Sequence, residues 1–261
     1  VSEEVLCEVS QGVARITLNR PERGNALGES LRDALVPAID RVVADASVRA
    51  ILLTAAGKMF CAGGDIAGMA DAGAGLDAWM ERMVAPLGAA VQKLAAAPVP
   101  VVSALNGPVA GGGIGLALCA DHVLAAESMK LRGGYSGIAF TADLGTSWFL
   151  ARRVGPARAK EILFLNRPLG ARECLAWGVV DAVHPDDRLG AEADALVRRL
   201  ADGATLALGR VKRLVDGAGV RTLEEQLALE RESMILSART GDAREGVAAF
   251  TAKRAPRFTG R

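Results

Sequence analysis

The sequence predicts an α/β layered fold over residues 1–195, followed by a strand-free helical region over residues 196–261. Three observations carry this reading. Short apolar or alternating runs that suit strands take turns with stretches of helical periodicity. Many of the strand runs are only four to six residues long. Beyond about residue 195 the strand pattern stops while the helical pattern continues, which marks the one composition shift along the chain.

In chain order, Glu4–Glu8 and Val13–Leu18 alternate apolar and polar residues around Gly12 and read as a hairpin. Leu27–Val43 carries helical periodicity, and Ala50–Thr54 is a short buried strand. The glycine-bearing loop from Gly57 to Asp65 leads into a helix, and the Gly/Ala-rich stretch Ala67–Gly75 reads as a mobile rim. Asp77–Ala97 is a long amphipathic helix that stops before Pro98. Val99–Ala104 is another buried strand. Asn106–Gly115 is a glycine turn that opens onto the helix Ile114–Ala120, and His122–Ala125 is a further strand. Ala157–Phe164 and Ala171–Trp177 read as helices. Asp187–Arg198, Thr205–Val215 and Thr222–Thr240 make up the helical region, in which Leu223, Leu227 and Met234 lie along one apolar stripe.

Composition narrows the function. A chain of 261 residues, 51% hydrophobic, supports one large domain or a core with an appendage. A net charge of +1 offers no global field for nucleic acid or membrane, so a polyanionic ligand needs local cations. No basic and apolar leader pattern opens the sequence, so no signal peptide is expected. The apolar stretch from Pro98 to Leu118 is interrupted by Pro100, Asn106, Pro108 and glycines, which makes a poor membrane span. Cys7, Cys61, Cys119 and Cys174 are far apart, and His122 and His184 are the two histidines. Disulfides and metal sites are therefore not expected, and a reducing cytoplasm fits. No phosphate-binding P-loop, dinucleotide glycine fingerprint or serine nucleophile elbow occurs.

Two segments carry the chemistry. Thr54–Ile66 runs from a buried strand into a loop with Gly63 and Gly64 before Asp65. Asn106–Gly115 repeats the arrangement of strand, glycine turn and helix. Glycines allow a ligand close to the backbone, and free N–H groups at a helix start favour negative charge.

Together these segments resemble the two signature loops of the crotonase (enoyl-CoA hydratase/isomerase) superfamily. Arg20–Leu31, Phe60–Ile66, Asn106–Asp121, Ala142–Gly155, Ala171–Val183 and Phe250–Phe258 resemble family segments in family order. The resemblance implies a spiral of short ββα turns over residues 1–195. It also implies a C-terminal helical region that trimerises and contacts coenzyme A over residues 196–261. It assigns oxyanion donation to the backbone N–H groups of Gly64 and Gly112. By the same resemblance Arg23, Ala26, Lys58, Ala62, Asp65, Ile66, Tyr135, Phe250 and Lys253 are the expected substrate-binding residues. Lys58 and Arg23 face the nucleotide end, and Phe250 and Lys253 approach coenzyme A, often across a subunit boundary. No separate cofactor is implied, because coenzyme A enters as part of the substrate.

Family hydratases use two glutamates, and at the matching positions this chain has Gly115 and Tyr135. One carboxylate remains nearby, Asp143, in a place that resembles the aspartate of isomerase-type members, with Ala142 for the usual proline. Asp143 as a shuttle base gives an enoyl-CoA isomerase; Asp143 as a helix N-cap is the structural alternative. Leu144, Trp148 and Phe149 are either an apolar wall beside it or ordinary core. Tyr135 either donates a hydrogen bond in the pocket or fills the space of the missing glutamate.

Other readings stay open. An aroyl-CoA dehalogenase would need a histidine on the helix Asp77–Ala97, where Gly88 stands. A hydratase with unusual residues, or a non-catalytic acyl-CoA-binding subunit, keeps the same fold. The expected assembly is a homotrimer or a dimer of trimers, with no nucleic acid or membrane partner.

Overall fold

Val5–Ser10 (β1) and Val13–Leu18 (β2) pair antiparallel, from Val5 opposite Leu18 to Ser10 opposite Val13. Gln11 and Gly12 form the turn at φ 51° and 77°, the left-handed pair that a tight two-residue hairpin requires. The computed structural model describes residues 3–261. After the hairpin come α1 (Glu29–Ala44), β3 (Ala50–Ala55), α2 (Ile66–Ala72), α3 (Leu76–Ala95) and β4 (Val101–Leu105). β5 (Val109–Ala110), α4 (Gly112–Leu118), β6 (His122–Ala126) and β7 (Lys130–Arg132) follow. α5 (Thr146–Leu165), β8 (Leu169–Gly170), α6 (Ala171–Trp177) and β9 (Ala182–His184) complete the strands. The rest is helical: α7 (Leu189–Ala201), α8 (Thr205–Gly217), α9 (Leu223–Ala238) and α10 (Gly241–Thr251).

β1-β2-β3-β4-β6-β9 form one sheet, parallel from β2 onward, and β5-β7-β8 form a small second sheet. The central strands β3 and β4 are buried on both faces, which is why they read as nearly continuous apolar runs. Ile51, Leu53, Val101, Leu105 and Val123 belong to the larger core. There they join Leu31, Leu35, Ile39 and Val42 of α1 and Met83, Leu87, Val91 and Leu94 of α3. The alternate residues Ala50, Leu52, Val102, Ala104 and Leu124 meet Leu189, Ala193, Val197 and Ala201 of α7. Residue 195 thus falls inside a helix that covers the sheet, and the tail proper begins after Ala201.

Several expectations need correction. The stretch Ala67–Gly75, expected as a mobile rim, has regular structure: Ile66–Ala72 is helical and Gly73–Gly75 is a 3-10 turn. α5 starts at Thr146, eleven residues before the expected Ala157, and the two halves meet at Gly155, whose φ of 77° and ψ of 163° break the helix before Pro156. Thr240 does not end α9; it caps α10 by accepting from the Ala243 amide. His122, the first residue of the expected strand, is exposed.

The tail is tied to the edge of the sheet where the parallel strands begin. Arg49, just before β3, donates to Thr205 Oγ1 at 3.0 Å, the Gly203 carbonyl at 2.7 Å and the Phe258 carbonyl at 3.2 Å. Lys212 of α8 pairs with Asp121, which precedes β6, at 3.0 Å. Leu223, Leu227 and Met234 of α9 lie 74%, 54% and 72% exposed, so the expected stripe has no partner within the described residues.

Candidate active site

The loops of interest leave the opposite, C-terminal ends of β3 and β4, the edge where open α/β sheets place ligands. Asn25 organises the first loop. It is fully buried, its Oδ1 accepts from the Arg20 amide, and its Nδ2 donates to the carbonyls of Ala56 at 3.0 Å and Met59 at 2.8 Å. Ala62 N–H donates to the Gly24 carbonyl and Leu27 N–H to the Gly63 carbonyl. These bonds set Ala26 and Ala62 beside Gly64, which bridges to Leu27. Asp65 accepts from the Ala67 and Gly68 amides, so its carboxylate is committed to starting α2. Arg23, Lys58 and Ile66 lie exposed around this loop.

The second loop is stitched to the first. Phe60 N–H donates to the Pro108 carbonyl, and Ala110 N–H to the Cys61 carbonyl at 2.9 Å. A Cβ on Gly63 would sit 2.9 Å from the Ala110 carbonyl oxygen, so the backbones approach in a way only glycine permits. Cys61 lies fully buried in the seam, its thiol pushed up to about 12, chiefly by burial. Its thiol donates to the Asn25 carbonyl at 3.1 Å and accepts from the Gly63 amide at 3.5 Å. Among the described residues neither the Gly64 amide nor the Gly112 amide donates to any protein acceptor. Two free donors therefore flank the junction of the loops.

Asp143 stands over Gly112: a Cβ there would come within 2.9 Å of Asp143 Oδ1 and 3.0 Å of Leu144 Cδ1. The carboxyl does not cap α5, whose first amide, Thr146 N–H, takes the backbone carbonyl of Asp143 instead. Tyr135 donates to Asp143 Oδ1 at 2.6 Å, and its oxygen lies 3.1 Å from Thr146 Oγ1. Tyr135 thus has hydrogen-bond partners as well as bulk. Asp143 is held above the ordinary aspartate range, first by burial, while the Tyr135 hydrogen bond pulls the other way. Burial, followed by the Asp143 charge, pushes the Tyr135 phenol up, so it stays protonated and able to donate. Of the expected apolar wall, Leu144 is buried against Gly112, and Phe149 lies against Gly145. Trp148 faces outward, 53% exposed, under the Arg152 guanidinium at 4.5 Å.

A glutamate cannot be fitted at Gly115. Its Cβ would overlap the Leu144 carbonyl oxygen and come 2.9 Å from the carbonyl carbon. At Gly88 the space beyond the backbone is open. Phe250 and Lys253, on or just after α10, are exposed and make no side-chain hydrogen bond or ion pair with the loop residues among the described residues. Arg254 is paired with Glu245 at 2.6 Å. Sequence reasoning passed over Asn25, Thr146 and Met69. For Asn25 the available signal was the Gly24-Asn25 pair, a turn composition that suits the positive φ of 53° it adopts. Met69 gave none; its Cε fills the space where a side chain on Gly64 would start.

A family model described as enoyl-CoA hydratase/isomerase covers residues 8–261. A 1,2-epoxyphenylacetyl-CoA isomerase of Escherichia coli K12 is 40% identical over 99% of both chains. A trans-2-decenoyl-[acyl-carrier-protein] isomerase of Streptococcus mutans is 32% identical over 99% of both. The crystal structure of an enoyl-CoA hydratase from Bacillus anthracis superposes with a TM-score of 0.93 at 28% identity, over 99% of this chain and 100% of that one. The expected fold class is borne out by these matches.

Proposed function

The chain belongs to the enoyl-CoA hydratase/isomerase family, and from that premise we propose that it shifts a carbon–carbon double bond along an acyl-CoA thioester. One observation carries the reading. A single partly buried carboxylate, Asp143, lies beside the Gly112 amide, while the two places where family hydratases carry glutamates hold Gly115 and Tyr135. Hydration needs one group to activate water and another to manage the second proton; isomerisation needs one base used twice.

In the proposed reaction, Asp143 as carboxylate removes a proton from C2 of a 3-enoyl thioester. The electron pair moves onto the thioester oxygen, held by the Gly64 and Gly112 amides. The neutral acid then returns the proton at C4, leaving the double bond at C2–C3 and Asp143 ionised again. A preorganised donor of this kind is worth about 10²–10³-fold in rate. The relative named a trans-2-decenoyl-[acyl-carrier-protein] isomerase supports this reading, and other relatives carry hydratase names.

The test is turnover of a 3-enoyl-CoA by the wild-type chain, followed by the absorbance of the conjugated thioester that forms. Saturable conversion is the expected outcome. Tight binding with no conjugated product would favour a non-catalytic acyl-CoA-binding subunit.

Self-association is part of the proposal. The tail is fastened away from the loops, so Phe250 and Lys253 would serve a site on another copy, and the exposed stripe of α9 supplies an apolar face for contact. Light scattering at micromolar concentration should give the mass of a trimer or hexamer; a monomer would count against it. Lys253→Ala should weaken coenzyme A binding most at low salt, where surface charge is least screened. Among the described residues no helix is long and apolar enough to cross a membrane.

A further inference from the structure

We propose that Tyr135, oriented by Thr146, is a positioning residue: it engages Asp143 Oδ1 and leaves Oδ2 to carry the proton. This rests on the reading of Asp143 as the shuttle base and goes beyond it by assigning separate tasks to the two carboxylate oxygens.

Hydrogen-bond polarity fixes the arrangement. An ionised carboxylate only accepts, so the 2.6 Å contact requires Tyr135 O–H to point at Oδ1. The phenol oxygen then has only lone pairs to offer Thr146 Oγ1 at 3.1 Å, so Thr146 must donate. Thr146 is fully buried in the first turn of α5, and its hydroxyl has no other hydrogen-bond partner among the described residues. The result is a one-way chain from Thr146 to Tyr135 to Asp143, and such chains strengthen their terminal bond. When Oδ2 takes the substrate proton, Oδ1 remains an acceptor, so nothing in the chain has to reverse during turnover.

The same bond tunes the base. Burial favours the neutral acid, and the Tyr135 hydrogen bond favours the carboxylate. The titratable groups facing Asp143 are Tyr135, next to the 3-10 turn Ser136–Ile138, and Cys61 on the first loop. Both are neutral at working pH. Gly112 on α4, Thr146 on α5 and Leu144 add no ionisable group. With the phenol removed, the carboxylate loses its stabilising donor and ionises at higher pH. The acid limb of kcat/KM should then move in the alkaline direction.

The test is a carbon-13 titration of protein labelled at aspartate, with the Asp143 carboxyl signal assigned by its loss in Asp143→Asn. In Tyr135→Phe the midpoint should rise by about one pH unit or more, the scale of one hydrogen bond to a charge. Thr146→Val should move it the same way by less. The acid limb of kcat/KM should follow, with KM little changed. An unmoved midpoint in Tyr135→Phe overturns the proposal, even where Asp143→Asn is inactive and the base assignment stands. A moved midpoint in a protein whose Asp143→Asn variant still isomerises overturns the base assignment, and the positioning role with it.

Discussion

Asp143→Asn should lower isomerisation by about 10²–10⁴-fold, the worth of a positioned general base. Asparagine keeps the size and can still accept from Tyr135, but it cannot take the C2 proton. Coenzyme A affinity should hold, because the carboxyl sits at the loop junction beside Gly112 and not among the exposed cations. Stability should hold or rise at neutral pH. The carboxyl is held above its ordinary range by burial, so the unfolded chain ionises it at lower pH than the folded chain does. Wild-type stability from this group is therefore greatest below the unfolded value and falls as pH rises through the raised one. The asparagine variant lacks that loss. Thermal melts at acidic and neutral pH, read beside single-turnover rates, check both halves. A fully active asparagine variant would end the base assignment.

Gly112→Ala should cost about 10²-fold in kcat through misplacement of the base. The amide N–H survives, but the new methyl arrives 2.9 Å from Asp143 Oδ1, 3.0 Å from Leu144 Cδ1 and 3.2 Å from Leu27 Cδ1. Leu27 and Leu144 are buried, so Asp143 is the group that yields. Gly64→Ala is the matched control: its methyl meets the flexible end of Met69, which swings aside more easily. KM and kcat measured for both variants check the contrast. Equal, small effects would mean that Asp143 does not need its place over Gly112.

How far the sequence foretold these features follows from what kind of group does the work. The loop glycines were legible because their function lies in the backbone, and glycine next to glycine after a buried strand is a strong signal. The parallel strands were legible as apolar runs. β5 and β8, with two residues each, are too short to leave a pattern. The first half of α5 was hidden by its entry, where Leu144 at φ 46° and Gly145 at φ 76° look like loop, and by the break at Gly155. α10 was hidden behind Gly241, Gly246 and a basic end. Asp143 could be located from the resemblance, but whether its carboxyl caps a helix or faces Gly112 depends on those same φ angles. Tyr135 could be seen as standing where a glutamate is missing. Its bond to Asp143 could not, because the turn Ser136–Ile138 that aims it has no apolar periodicity. Thr146 reads as an ordinary residue of a first helical turn until its hydroxyl is found buried.

The most direct test of one base and two amides moving a double bond is product analysis from a 2-enoyl-CoA. Mass spectrometry after chromatography separates the 3-enoyl isomer from the hydrated 3-hydroxyacyl thioester. The account predicts that the 3-enoyl isomer forms to equilibrium while hydration stays at the uncatalysed rate. A 3-hydroxyacyl-CoA appearing as fast as the isomer, or faster, would contradict it.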